Sequence, residues 1–373
     1  MPEIGDTRLV VLQQRAARAG AQTCLARLLR QPSMRQLNPL LICAEPGWLV
    51  DAARNEGIST WVLPAPSPRS LGGRLYANAA YARGLAARLA EAGMRPRVVL
   101  GNDYLEGPLA LPLARRLGAH GVLYLRASGM TARDFKKYAC RQADMILPIG
   151  PNLAERVRGW HYAGSVLPAR DGLEAEEFRP PQAATSLPHR FLVLGTAHPD
   201  KGWGDLACAV QHLAQSGGLP RHVTFDFTGD LAQAGIEENN HLRGIGRLNG
   251  LVDNLGSYDC VIHPSRRESF GMAALETIAA GVPLLSSRSG VLAEVIQDAR
   301  WLFEPGDCAD LTRILAGALA QGVADVAQRA AMQERLRHDY LIQDQADILV
   351  SAWNSWLREG SPPAAISSKL APH

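Results

Sequence analysis

Short runs of consecutive apolar residues recur along the chain, and between them apolar residues return every three or four positions. In the first half the runs are RLVVLQ (8–13), PLLICA (39–44), STWVLP (59–64), RVVLGN (97–102), GVLYLRA (121–127) and DMILPIG (144–150). Each has the length of a strand. The segments between them, such as AQTCLARLLRQ and LYANAAYARGLAARLAEAG, show helical spacing and end near Gly or Pro. Strands that are mostly apolar belong to a sheet covered on both faces, and alternation with helices makes that sheet parallel.

The rhythm breaks at about 164–190, GSVLPARDGLEAEEFRPPQAATSLPHR, where prolines and an Asp-Gly pair leave no clear period. This stretch reads as a linker. The pattern then restarts with RFLVLGTA (190–197), VTFDFTGD (223–230), LRGIG (242–246), CVIHPS (260–265), VPLLSS (282–287) and WLFEP (301–305). The prediction is an α/β protein with two Rossmann-like, doubly wound parallel-sheet domains, 1–170 and 171–342, with ligands bound at a cleft faced by the carboxyl ends of the strands. The tail at 361–373 carries no element, and no repeat of a solenoid period is present.

Composition supports two ordinary cores: of 373 residues, 47% are hydrophobic and 20% charged. No apolar run approaches the roughly 20 residues that span a bilayer, and the N-terminus does not read as a signal peptide. The six cysteines (Cys24, Cys43, Cys140, Cys208, Cys260 and Cys308) form no Cys-x-x-Cys pair. They read as buried thiols in a reducing compartment, neither disulfides nor a zinc site, so a cytoplasmic protein is expected. One charge asymmetry changes the picture. Between Thr7 and Ala44 stand six arginines (Arg8, Arg15, Arg18, Arg27, Arg30, Arg35) and no acidic residue. That stretch is either a solvated helix face or a surface for an anionic partner, a phosphate-bearing acceptor or the inner membrane leaflet.

Several chemistries are excluded by absent motifs. No Gly-x-Gly-x-x-Gly follows the first strand, no P-loop occurs, and no Asp-x-Asp pair is available to chelate a metal through a diphosphate. Any diphosphate bound here would be neutralised by cations and backbone dipoles. Two strand-to-helix turns of the second half carry such groups. One is TAHPDKGWG, with Lys201 in a Gly-rich turn. The other is RRESFGMAALE, in which Arg266, Arg267 and Glu268 precede Ser269, Phe270, Gly271 and Met272 at a helix start, with Glu276 further along. The amides of a helix start can cradle a phosphate, and Gly271 permits close approach. In this reading Glu276 accepts hydrogen bonds from a ribose. The plainer reading makes Glu268 a helix-start carboxylate and Glu276 a surface residue. His263 reads as a packed strand residue.

The stretch HPSRRESFGMAALETIAAGVPLLSSRSGVLAEVI resembles the donor site of retaining GT-B glycosyltransferases of family 4, with Glu268 and Glu276 in the Glu-x7-Glu positions. Weaker likenesses follow in order through most of the chain: RAGAQT, NDYLEGPLALPLARRLG, DGLEAEEFRP, FLVLGTAHPDKG and QADILVSAWNSWL. The resemblance implies a C-terminal helix, 343–360, that completes the N-terminal acceptor domain. It implies that Glu276 binds the donor ribose, that Glu268 contacts the transferred sugar, and that Lys201 stabilises the leaving diphosphate. Residues 269–272 would hold phosphate or sugar hydroxyls, Gly20 would let the N-terminal loop approach the diphosphate, and Arg267 and Thr196 would complete the donor site.

Three positions depart from the family pattern. Thr196 stands where an arginine is usual, Ala19 where a second glycine is usual, and Arg126 where a histidine is usual. Arg126 is therefore a candidate for an anionic group on sugar or acceptor, or else a salt-bridged arginine. Asn102 and Asp103 are acceptor-side candidates. The implied function is transfer from a nucleotide-diphosphate sugar to a glycan or lipid-linked acceptor, without metal, cofactor or nucleic acid, in bacterial glycan synthesis. The alternatives are a GT-B-shaped binding protein that does not transfer and a nucleotide-sugar epimerase.

Overall fold

The computed structural model describes residues 7–67, 76–183, 187–248 and 251–359. The chain divides into two compact units, Met1–Gly172 with Ile342–His373, and Leu173–Leu341.

The first unit is built on a seven-stranded sheet with the order β3-β2-β1-β4-β5-β6-β7. Its strands are β1 (Leu9–Gln13), β2 (Leu40–Cys43), β3 (Ser59–Val62), β4 (Val98–Gly101), β5 (His120–Leu125), β6 (Met145–Pro148) and β7 (Ser165–Val166). All pairings are parallel. Apolar positions of β1, β2 and β4 are buried without alternation, as expected for a sheet covered by helices on both faces. The strand β7 corrects the linker reading at its start: Ser165 and Val166 pair with Met145 and Ile146. The pair lies in a stretch broken by prolines and polar residues, so only the neighbouring strand reveals it.

The helix Ile342–Glu359 also belongs to this unit. It places Ile342, Ala346, Leu349, Val350 and Trp353 on one stripe, and these join the core formed by Leu9, Val11, Leu25 and Leu29. The Gln345 side chain accepts from the Arg170 amide at 3.0 Å, tying the two ends of the unit together.

The second unit carries a six-stranded parallel sheet ordered β10-β9-β8-β11-β12-β13. These are β8 (Arg190–Val193), β9 (Thr224–Phe227), β10 (Leu242–Gly244), β11 (Cys260–His263), β12 (Leu284–Ser287) and β13 (Leu302–Phe303). Phe191 stacks on Phe225 at 5.0 Å, and Trp203 meets Phe227 edge-on at 5.2 Å. In both sheets the strand order reverses once, between β1 and β4 and between β8 and β11. A crevice opens at such a reversal, outside the carboxyl ends of the strands.

The cysteines correct the sequence reading. Cys24, Cys43, Cys140 and Cys260 are buried thiols. Cys208 and Cys308, 100 residues apart, form a disulfide between the helices Trp203–Gln215 and Cys308–Gln321. The pairing arises from helix packing, which the spacing of cysteines does not encode. Among the described residues no helix is long and apolar enough to cross a membrane.

Candidate active site

At the reversal point of the second unit, two turns leave β8 and β11 and press together. After β8 the chain passes through Gly195 and an exposed Thr196 into a short 3-10 turn, Pro199–Lys201. Gly202 follows in the left-handed region, with φ +66°, and a Cβ there would lie 1.8 Å from the carbonyl oxygen of Pro264. Only glycine lets the Lys201 turn sit against the Pro264 turn. Two further bonds register them, since the amides of Arg266 and Arg267 donate to the Asp200 carbonyl at 2.7 and 3.4 Å.

This contact brings the two candidate catalytic residues together. Lys201 Nζ donates to Glu268 Oε2 at 2.8 Å. The same oxygen lies 3.4 Å from His263 Nε2 and 3.5 Å from Ser265 Oγ, and Glu268 Oε1 accepts from the Ser269 amide at 3.1 Å. Burial pushes the Glu268 carboxyl up, but the hydrogen bond from His263 and the Lys201 ammonium outweigh it and bring it down to about 2. Glu268 is thus a fixed carboxylate, an acceptor of hydrogen bonds and not a proton donor. His263 is the packed strand residue that its sequence position indicates, 3% exposed. Its Nδ1 also faces Ser286 Oγ at 3.5 Å. It is in addition a positioning residue for Glu268, a role signalled only by its place at the end of β11.

The other donor-side residues are distributed unevenly. Phe270 is buried edge-on against Tyr340 at 5.5 Å. Gly271 caps the helix Met272–Ala279 with φ +98°, and that helix has no side-chain cap and no acid in its first turn. Its positive end is therefore not neutralised by a side chain of its own first turn, the arrangement that favours an anion. Glu276 is half-buried on the same helix. The two arginines hold the turn itself. Arg266 makes a paired contact with Asp205 at 2.7 and 2.5 Å, and Arg267, largely exposed, reaches Asp200 at 3.0 Å.

In the first unit, Gly20 begins the helix Gly20–Arg30, and a Cβ there would meet nothing within 4 Å. Asp103 accepts from the Leu105 amide at 3.1 Å, capping a short turn. Arg126, 8% exposed, pairs through Nη1 with the buried carboxylate of Asp171, and its Nη2 donates to Asn102 Oδ1 at 3.1 Å. The Asn102 amide in turn donates to Gln13 Oε1 at 2.6 Å. The guanidinium also lies over the Tyr124 ring at 3.8 Å. The charge of Arg126 is committed inside the unit, and the residue braces Asn102.

Glu106 was absent from the sequence candidates. It is 2% exposed and lines a cleft of about 210 Å³ with Gln13, Gln14, Arg15, Gln22 and Asp103, at the ends of β1 and β4. Its Oε1 accepts from the Gln14 amide at 2.9 Å, while its Oε2 has no partner among the described residues. Burial, helped by the Asp103 charge and opposed by the Gln14 hydrogen bond, pushes its carboxyl up to about 8. A larger cavity, about 500 Å³, opens at the amino ends of β11 and β12 beside Asp259, Pro283 and Arg329, away from the Lys201 turn.

Two parallel sheets with these orders, each with one reversal, match the GT-B class of glycosyltransferase fold. The structure superposes on Anabaena HepE in complex with UDP and glucose with a TM-score of 0.74 at 15% identity, covering 94% of this chain and 100% of that one. The family model "Family 4 Glycosyltransferase in conflict systems" matches residues 74–312, and the chain belongs to that family. Among curated relatives, the N-acetyl-α-D-glucosaminyl L-malate synthase of Bacillus anthracis is 32% identical over 113 residues, 30% of this chain and 29% of that protein. The glycogen synthase of Mycobacterium tuberculosis is 24% identical over 276 residues, 66% of each. The chain thus spans less than two thirds of the length of these relatives.

Proposed function

We propose that the chain transfers a sugar from a nucleotide-diphosphate donor to an acceptor hydroxyl with retention of configuration and without a metal. The observation that carries this reading is the Lys201–Glu268 pair, 2.8 Å apart beside the uncapped start of the helix Met272–Ala279. A departing diphosphate needs positive charge where its own negative charge grows. Lys201 and the helix start supply that charge in a partly buried site, where it is worth more than in water. Glu268, held ionised, accepts hydrogen bonds from hydroxyls of the transferred sugar, and Glu276 accepts from the ribose. The acceptor hydroxyl attacks on the face from which the diphosphate leaves, and a diphosphate oxygen takes its proton. The protein then needs no separate base; its work is positioning and leaving-group electrostatics. The UDP complex of HepE supports a nucleotide-sugar donor. The glycogen-synthase relative supports a glycan or glycoconjugate acceptor, and the family description ties such an enzyme to conflict systems.

The test is a panel of UDP-, GDP-, ADP- and dTDP-sugars. Thermal stabilisation identifies the donor, and donor hydrolysis or transfer is then compared between wild type, Glu268→Ala and Lys201→Ala. A donor that binds and never loses its sugar to any acceptor or to water makes the chain a binding protein. An isomerised sugar without acceptor makes it an epimerase.

A further inference from the structure

The second unit holds a cluster that the transfer reaction does not use. Cys208 and His212 lie one turn apart on the helix Trp203–Gln215, so their side chains share a face. Cys308 opens the helix Cys308–Gln321, packed against the first. The Sγ atoms of both cysteines and a ring nitrogen of His212 lie within 4.8 Å of one another, and His212 Nδ1 is 3.8 Å from Cys308 Sγ. Cys208 and Cys308 are half-buried and His212 is exposed, so the cluster is open to solvent.

We propose that Cys208, His212 and Cys308 are the ligands of a thiolate–imidazole site for zinc, open when the disulfide is reduced and closed when it is formed. The geometry suits both states. The cysteine Cα atoms are 6.2 Å apart, inside the range that a disulfide accepts. With zinc–sulfur distances of about 2.3 Å and zinc–nitrogen distances of about 2.0 Å, tetrahedral ligand atoms stand roughly 3.5–4 Å apart. The sulfur-to-imidazole separation already has that value. To admit the ion, the sulfurs need only move apart by side-chain rotation on fixed helices. A purely structural disulfide has no use for an imidazole at that distance, whereas two thiolates and one imidazole are a zinc donor set with a fourth position left for water.

A dithiol gives two electrons and two protons to the Sγ–Sγ bond and becomes a disulfide, leaving Cys208 and Cys308 as thiols. Zinc then binds both sulfurs and His212, two protons leave to solvent, and water completes the coordination. A disulfide oxidant reverses the sequence and releases the ion. In either state the two helices are stapled across 100 residues of chain, once covalently and once through the metal. The site lies on the same helix as Asp205, which holds Arg266, but it takes no part in the donor chemistry.

The experiment is a cobalt titration of the full chain, reduced with a dithiol and freed of it under nitrogen, followed by displacement with zinc. The expected result is one thiolate-to-cobalt charge-transfer band, saturating at one ion per chain and lost on zinc addition. The oxidised protein should show none. His212→Ala, a change at an exposed position, should weaken binding by at least the roughly tenfold that even outer-shell partners are worth. Cys308→Ser should abolish the band. Reduced wild type without the band overturns the proposal, as does a band that survives unchanged in both variants.

Discussion

Lys201 and Glu268 are 67 positions apart in the chain and joined by a 2.8 Å hydrogen bond between charged groups. The contact rests on Gly202, which lets one turn lie against the carbonyl of Pro264, and on His263, which holds the same carboxylate oxygen from the end of β11. Neither partner is fully exposed, with side chains 29% and 17% accessible, so solvent screens the pair only in part.

Lys201→Ala is expected to lower kcat by about a hundredfold or more, the loss seen when one group that stabilises developing negative charge is removed. Steady-state kinetics with the identified donor separates this from a binding effect. An unchanged kcat with a raised KM would reduce Lys201 to a binding residue.

The Glu268 carboxyl is held at about 2 against an ordinary 4.5. A lowered acid stabilises the fold above its unfolded value, and that contribution is lost as pH falls through the folded one. Glu268→Gln should therefore be less stable than wild type in urea at pH 7, and the gap should narrow as pH falls below about 4.5. A gap that stays constant down to pH 3 would mean that the pair carries no net ionic stabilisation.

Glu106 should behave with the opposite sign. Its carboxyl is raised from 4.5 to about 8, so the fold loses stability as pH rises from about 4.5 through 8. Glu106→Gln keeps the shape and removes the ionisation. It should match wild type near pH 5 and melt several degrees higher near pH 9, read by thermal denaturation at both values. Equal differences at the two pH values would show that Glu106 ionises without cost.

Two glycines separate folding from ligand contact. Gly202→Ala places a Cβ 1.8 Å from a backbone oxygen at positive φ, and it should destabilise the second unit by about 1–3 kcal/mol with loss of activity. Gly20→Ala meets nothing within 4 Å at a helix start and should leave the melting temperature unchanged or slightly raised. An activity loss in Gly20→Ala, with folding intact, would report contact with the donor.

Arg126→Met should cost about 3–5 kcal/mol, because Asp171 is left buried without its cation. Asp171→Asn in the same chain should restore part of that loss. A double variant no more stable than the single one would show that the cost lies in Asn102 and the ring of Tyr124 instead.

The elements were legible because they are local. A strand buried on both faces must be apolar at nearly every position, and a helix that covers it must repeat every three or four residues, so twelve of the thirteen strands among the described residues are visible in the chain's pattern. The exception is β7: β13 is equally short but stands in the apolar run WLFEP, whereas β7 lies in the proline-rich stretch that reads as a linker. Lys201 and Glu268 were also legible, as charged residues in turns that follow strands. What those charges do depends on their partners, and the partners come from strand order and helix packing. The reversal between β8 and β11 sets the Lys201 turn beside Glu268. Asp205 and Asp171 are buried carboxylates, which makes leaving them unpaired costly, and Arg266 and Arg126 are drawn to them. Cys208, one turn from His212 along the sequence, meets Cys308 only because the helices Trp203–Gln215 and Cys308–Gln321 pack against each other. The sequence by itself determined which segments are strands and helices and which turns carry charge. The tertiary structure alone decided which of those charges and thiols face one another, because a pairing between distant residues leaves no period in the chain.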